Sequence, residues 1–101
     1  MTVLSLTYMI IGILTVTLMI PGANSLKDKR QVLKSILENI RNKFNVSVAE
    51  VGDNDIWRRA TIGAACVSND RAMANRILDK VVDYIESNPV ISVTAVNLEF
   101  V

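Results

Sequence analysis

The first thirty residues, MTVLSLTYMIIGILTVTLMIPGANSLKDKR (1–30), hold the segment that decides the fold. Residues 1–26 carry no charged side chain, and about 20 apolar residues are enough to span a membrane as a helix. A signal peptide requires a Lys or Arg before its apolar run, and none precedes this one. From Ile10 to Ile20 β-branched residues dominate and alternate with a period of two, and Pro21-Gly22 then marks a turn. We therefore interpret residues 10–20 as a buried strand rather than a membrane span or a signal peptide.

The composition indicates one small domain and excludes several kinds of site. The chain has 101 residues, half of them hydrophobic, which is enough for one core. It has no His, which excludes histidine triads and His-ligated metals, and a single Cys, which excludes an internal disulfide framework. The net charge is +1, so a polyanionic partner would need a local basic patch. We expect no metal and no cofactor, and a soluble protein of the cytoplasm that does not enter a membrane.

The rest of the chain alternates between helical and strand patterns. Ser25 is a good N-cap, with Asp28 at the third helical position, and Asn88-Pro89 is a helix stop. In chain order, the patterns predict a strand over 10–20, a helix over 25–43, a strand over 44–51, a strand over 58–67, a helix between the cap at 68–70 and the stop at 88–89, and a strand over 91–101.

The order βαββαβ divides into two βαβ halves, which is the split arrangement of ferredoxin-like domains. Right-handed crossovers place the first and third strands in the centre of a four-stranded antiparallel sheet, and the helices cover one face. The other face is expected to carry Thr15, Thr17, Gly63 and Ala65. We predict an α+β, ferredoxin-like domain over 9–101, with residues 1–8 as an N-terminal extension of the first strand.

Several runs of sequence resemble motifs of the YlxP-like family of small bacterial proteins, in the same order. They are MIIG (9–12), PGANSLKDKRQVLKS (21–35), FNVSVAEV (44–51), IWRRATIG (56–63) and VSND (67–70). The resemblance covers about residues 9–101 and implies a ferredoxin-like fold. It also implies a link to translation and ribosome maturation, through the neighbourhood of the family's genes, but no defined molecular activity. Family members usually begin near the equivalent of Met9, so Met9 is an alternative start to Met1.

The loop PGANSLKDKR (21–30) is a candidate anion site. It joins a strand end to a helix N-terminus, where free N–H groups and the helix dipole favour negative charge. Ser25, Lys27, Lys29 and Arg30 would add to that site. The alternative is a well-capped helix with a solvated basic start.

Positive charge is concentrated on the first predicted helix. Residues 25–43 hold six Lys/Arg and two acids, whereas residues 70–87 hold three Lys/Arg and four acids. A set of four cations falls within one narrow arc beside the apolar face, the arrangement expected for phosphate contact. The set is Lys27, Arg30, Lys34 and Arg41, which Arg58 and Arg59 would extend if the fold brings them near. The alternative is an ordinary solvated flank.

Three smaller features have more than one interpretation. Trp57 beside two arginines can stack on a base, although a lone Trp is more often a packing anchor and the arginines can pair with nearby acids. Asp53-Asn54-Asp55 lacks the spacing of a calcium loop and is interpreted as a turn. Cys66 lies in an apolar strand and is interpreted as a core residue rather than a nucleophile.

Three functions are compatible with these observations. The first is a non-catalytic binding protein, associated with RNA or a ribosomal subunit through the basic first helix. The second is a self-associating structural or regulatory module, most simply a two-fold dimer through the uncovered sheet face or an edge strand, and residues 1–8 would extend the first strand into that contact. The third is a small phosphoester-handling enzyme that uses the loop at 21–30. No base or nucleophile is visible there, so we expect the protein not to be an enzyme.

Overall fold

The computed structural model describes residues 8–101 and has the predicted βαββαβ order. The elements are β1 (Ile10–Met19), α1 (Leu26–Lys43), β2 (Ser47–Gly52), β3 (Arg59–Ser68), α2 (Arg71–Glu86) and β4 (Ser92–Phe100). The strand β2 begins later than predicted because Phe44 caps α1, and its N–H donates to the carbonyl of Ile40 (2.9 Å). Ser25 and Asp70 are the N-caps of the two helices, as the sequence predicts.

The four strands form one antiparallel sheet in the order β2-β3-β1-β4. The first and third strands therefore lie at the centre, as predicted, and the predicted ferredoxin-like α+β fold is confirmed. The register of β1 on β3 runs without interruption from Ile10 opposite Ser68 to Met19 opposite Arg59. The register of β1 on β4 shifts once, between Thr17 and Leu18.

The core lies between the sheet and the two helices. Alternate residues of β1 and β3 are buried beneath the helices, because successive side chains of a strand point to opposite faces. The helices complete the core with one apolar stripe each, which is Leu33, Ile36 and Ile40 on α1, and Ala74, Leu78, Val81 and Ile85 on α2. The opposite sheet face carries Thr15, Thr17, Gly63 and Ala65, all only partly exposed, and this predicted composition is confirmed.

The uncharged opening run forms β1 from Ile10 onward, so its interpretation as a strand is confirmed for that part. Tyr8 and Met9 precede the strand without joining it. The rest of the expected extension, residues 1–7, lies outside the described residues. Over residues 8–101, no helix combines the length and the apolar character that crossing a membrane requires.

Candidate nucleic-acid interface

Four exposed cations lie along one flank of α1, and we call them the basic stripe. They are Lys27, Arg30, Lys34 and Arg41. Their spacings of three, four and seven residues keep them on one side of the helix, over an axial length of about 21 Å. Within residues 8–101 none of the four forms an ion pair with a carboxylate. The stripe is therefore a line of positive charge open to solvent.

The basic stripe lies on the β2 side of α1, at one edge of the sheet. Arg41 Nη2 donates a hydrogen bond to the carbonyl of Val48 in β2 (3.0 Å). Lys43 marks the opposite flank, because its Nζ lies 4.7 Å from the centre of the Tyr84 ring on α2. The stripe thus faces away from α2, next to the outer edge of β2.

Lys29 does not lie where the predicted anion site would need it. Its side chain is fully buried, with Nζ 2.9 Å from Glu50 Oε2 and hydrogen-bonded to the carbonyl of Asp53. The ammonium group therefore joins α1 to β2 and to the turn after β2, and it is closed to an anion from solvent. The sequence carried a signal for this, since position 29 is three residues after Leu26 and four before Leu33, on the apolar arc of the helix.

The N-terminus of α1 is already satisfied by its own residues. The Ser25 hydroxyl accepts a hydrogen bond from the Asp28 N–H, and the Asn24 N–H donates to Asp28 Oδ2, each at 3.0 Å. The Asp28 carboxylate therefore stands in the first turn, where it repels a second anion. Of the predicted anion-binding residues, Lys27 and Arg30 remain exposed, and both belong to the basic stripe.

The side chains of Arg58, which precedes β3, and of Arg59, its first residue, make different contacts. Arg58 Nε donates to the carbonyl of Ala23 (2.9 Å), which brings this side chain beside the start of α1 and one end of the basic stripe. Arg59 lies on the open face of the sheet, with Nε 3.1 Å from Asp53 Oδ2. The hydrogen bonds from Arg59 and Thr61 hold the pKa of the Asp53 carboxyl below its usual range. Only Arg58 thus extends the stripe.

Trp57 is 51% exposed, so its interpretation as a packing anchor is wrong. It lies in the same loop as Arg58, between β2 and β3, and about half of its side chain is open to solvent. Because an exposed indole can stack on any base, this residue belongs with the basic stripe in the candidate interface. Sequence patterns gave no signal to separate an exposed from a buried Trp at this position.

The two remaining interpretations of local sequence are confirmed. Asp53 adopts a left-handed conformation (φ 61°) in the turn after β2, which Asp tolerates better than most residues. Cys66 is buried beneath the helices, and burial raises the pKa of its thiol. A buried thiol that resists ionisation is a packing residue and a poor nucleophile.

The open face of the sheet is a second candidate surface. Between β2 and the central strands it has a shallow depression of about 280 Å³. Ile13, Val51, Gly63 and Ala65 help to line it, and Val51 approaches Gly63 so closely that an added Cβ would lie 3.0 Å from it. The surface is apolar and shallow, which fits a protein contact better than a small-molecule site.

Fold and surface together define a small ferredoxin-like α+β protein with a basic flank on its first helix. Residues 11–98 match the family described as "Protein of unknown function (DUF503)". The chain is 42% identical over 90 residues to "Uncharacterized protein YlxP" of Bacillus subtilis (strain 168), which covers 89% of this chain and 98% of that relative. The chain belongs to this family, and the predicted resemblance to YlxP-like proteins is confirmed.

Proposed function

We propose that this protein is a non-catalytic, cytoplasmic RNA-binding protein whose basic stripe contacts the phosphate backbone. The observation that carries the proposal is the line of four exposed cations beside β2, which have no carboxylate partner within residues 8–101. Because the net charge is only +1, attraction to a polyanion depends on this local arrangement. The gene neighbourhood implied by the family resemblance favours RNA, and ribosomal RNA in particular, as that polyanion.

Trp57 and Arg58 would extend the contact at the start of α1. The exposed indole offers a surface on which a base can stack, and Arg58 adds a cation beside it. Contacts to phosphate position a nucleic acid but carry no sequence information. We therefore expect binding to single-stranded segments with weak sequence preference.

The test measures binding to single-stranded ribosomal RNA segments at a series of salt concentrations. The fluorescence of Trp57, the sole tryptophan, reports the binding. For four phosphate contacts the slope of log affinity against log salt should be about −3, and the variant Lys27→Gln plus Lys34→Gln should reduce it to about −1.4. Neither side chain makes a hydrogen bond or ion pair with residues 8–101, so the fold should be unaffected.

The matched control is Arg76→Gln plus Lys80→Gln, which removes the same charge from exposed positions of α2. This variant should keep the slope of the natural chain. Equal slopes and affinities for the two double variants would show that the basic stripe is not the binding surface.

The phosphoester-enzyme alternative receives less support from the geometry. The Lys29 ammonium is engaged with Glu50, and the Asp28 carboxylate is engaged in capping α1. Neither group is placed to act on a phosphate held at the loop, so a binding role accounts better for the exposed cations that remain.

A further inference from the structure

The two edges of the sheet differ in how well they are protected. The β2 edge is six residues long, and the basic stripe runs beside it. Arg41 of that stripe donates a hydrogen bond to the Val48 carbonyl of β2. The β4 edge is nine residues long, SVTAVNLEF (92–100), and like β2 it contains no Lys, Arg or Pro, but within residues 8–101 no side chain hydrogen-bonds to its backbone as Arg41 does to that of β2. Proteins normally protect an exposed edge with shortness, charge or proline, because an unprotected one pairs with another strand. β4 is therefore the edge that is open to pairing.

The hydrogen-bonding pattern shows which groups β4 presents outward. Ile11 and Val101 exchange two backbone hydrogen bonds of 2.9 Å each. Such pairs alternate along an antiparallel ladder, so Glu99, Asn97 and Ala95 also bond to β1. The residues between them direct their N–H and C=O groups to the free edge, and they are Val96, Leu98 and Phe100. Among residues 8–101, no strand lies on that side of β4.

The side chains beside this edge are incompletely covered. Val96, Leu98 and Phe100 lie on the helix side of the sheet, and Val96 is 48% exposed there. A cleft of about 530 Å³ lies between β4 and the start of α2, lined by Phe100 and by Arg71, Ala72 and Asn75. A strand added to β4 would place its own helix-side residues at the mouth of that cleft.

We propose that β4 pairs with β4 of a second copy of this chain, antiparallel about a two-fold axis at Leu98. This register places Leu98 opposite its own copy, Val96 opposite Phe100, and Asn97 opposite Glu99. The exposed Val96 side chains then cover the two clefts. The product is a continuous eight-stranded sheet, and it is independent of RNA binding at the β2 edge.

The charge pattern of β4 selects this register and a second copy as the partner. Glu99 is the only charged residue of the strand, and Asn97 Nδ2 already donates to Glu99 Oε1 within one strand (3.0 Å). In the proposed pairing the same donor and acceptor face each other across the axis, twice. An axis at Glu99 would oppose two carboxylates, which is unfavourable, and an axis at Asn97 would leave each carboxylate opposite Ala95.

The first test measures the mass of the full chain by sedimentation equilibrium at micromolar concentration. The variant Val96→Pro removes an N–H that faces the free edge and leaves the ladder to β1 intact. The control Val96→Thr keeps that N–H and the β-branched shape. We expect sedimentation to show dimers for the natural chain and Val96→Thr and a monomer for Val96→Pro. Circular dichroism should show that the Val96→Pro monomer is folded. A monomeric natural chain, or a dimeric Val96→Pro variant, would overturn the proposal.

A second pair of variants tests the register. It also tests the proposed dimer if Val96→Pro does not fold. Asn97→Glu places a new carboxylate opposite Glu99 of the second copy, twice, and should weaken the dimer about tenfold. Adding Glu99→Lys converts both contacts to opposite charges and should restore the dimer. A double variant that dimerises no better than Asn97→Glu alone would refute this register.

Discussion

At the residue scale, Lys29 shows how a charge can serve the fold inside an apolar face. The side chain is completely buried, and its ammonium group is held by the Glu50 carboxylate and the carbonyl of Asp53. A buried ammonium group is tolerated only when it is paired and hydrogen-bonded in this way. The residue therefore fixes the start of α1 to the β2–β3 turn, which also carries Trp57 and Arg58.

We expect Lys29→Met to destabilise the protein by about 3 kcal/mol, because the mostly buried Glu50 carboxylate loses its counter-ion. The matched control is Lys27→Met, an exposed position in the same helical turn, which should change stability by less than about 0.5 kcal/mol. Urea unfolding followed by circular dichroism measures both. Equal midpoints for the two variants would show that the buried ion pair contributes little.

The sequence predicted some residue roles and not others, for physical reasons. Ser25 was predictable as an N-cap because capping depends on neighbours within four residues. The separation of Arg58 from Arg59 was not predictable in the same way, because it depends on contacts with Ala23 and Asp53 in other parts of the chain. The candidate interface was thus predicted for α1 but only in part for the loop before β3.

At the element scale, periodicity was sufficient to predict every helix and strand within residues 8–101. Strand boundaries were less accurate, and β2 is the clearest example, because the apolar residues Phe44 and Val46 continue the pattern of β2 although they belong to the end of α1 and its exit. These two side chains pack against the core from outside a strand. A pattern of apolar residues predicts which side chains are buried. It does not predict whether those residues belong to a strand or to the end of a helix.

Gly12 shows what brings α2 close to the sheet. A Cβ at this position of β1 would lie 2.7 Å from Leu78 Cδ1 and 3.5 Å from Ala74 Cβ. Both of these atoms belong to fully buried residues of α2, which have little room to move. The absence of a side chain at Gly12 thus lets the helix pack directly on the central strand.

We expect Gly12→Ala to destabilise the protein by about 1–3 kcal/mol through overpacking against α2. Gly22→Ala is the control, since nothing lies within 4 Å of an added Cβ there, and it should be neutral or stabilising by up to about 1 kcal/mol. Guanidinium unfolding of the two variants provides the comparison. A Gly12→Ala variant as stable as Gly22→Ala would mean that α2 shifts without cost.

At the scale of the whole molecule, the strand order separates the two proposed surfaces. The basic stripe flanks β2 at one edge of the sheet, and the proposed pairing edge is β4 at the other. Neither the net charge nor the composition shows this separation, because both depend on which strands lie at the edges. The sequence predicted those edge strands correctly through the βαββαβ order, and the choice between edge and face pairing required the exposed backbone groups of β4.

The proposed dimer would place two basic stripes far apart on one particle. In the proposed dimer the two β2 strands form the outer edges of eight strands, which are seven spacings or about 34 Å apart. Each basic stripe remains open, and the two stripes face opposite outer flanks of one particle. A single RNA that covers only one stripe gains nothing from the dimer, whereas a longer RNA can bind both stripes at once.

We therefore expect the dimer to bind a long single strand of RNA at least tenfold more tightly than a short one that covers one stripe, since the second contact becomes intramolecular. Val96→Pro should remove most of that difference while leaving the affinity for the short RNA unchanged, because the variant alters β4 and not α1. Val96→Thr should behave as the natural chain. Fluorescence anisotropy of labelled RNAs of the two lengths at one salt concentration makes the measurement. A length dependence that persists in monomeric Val96→Pro would show that long RNA is held within one subunit, and would separate RNA binding from dimerisation.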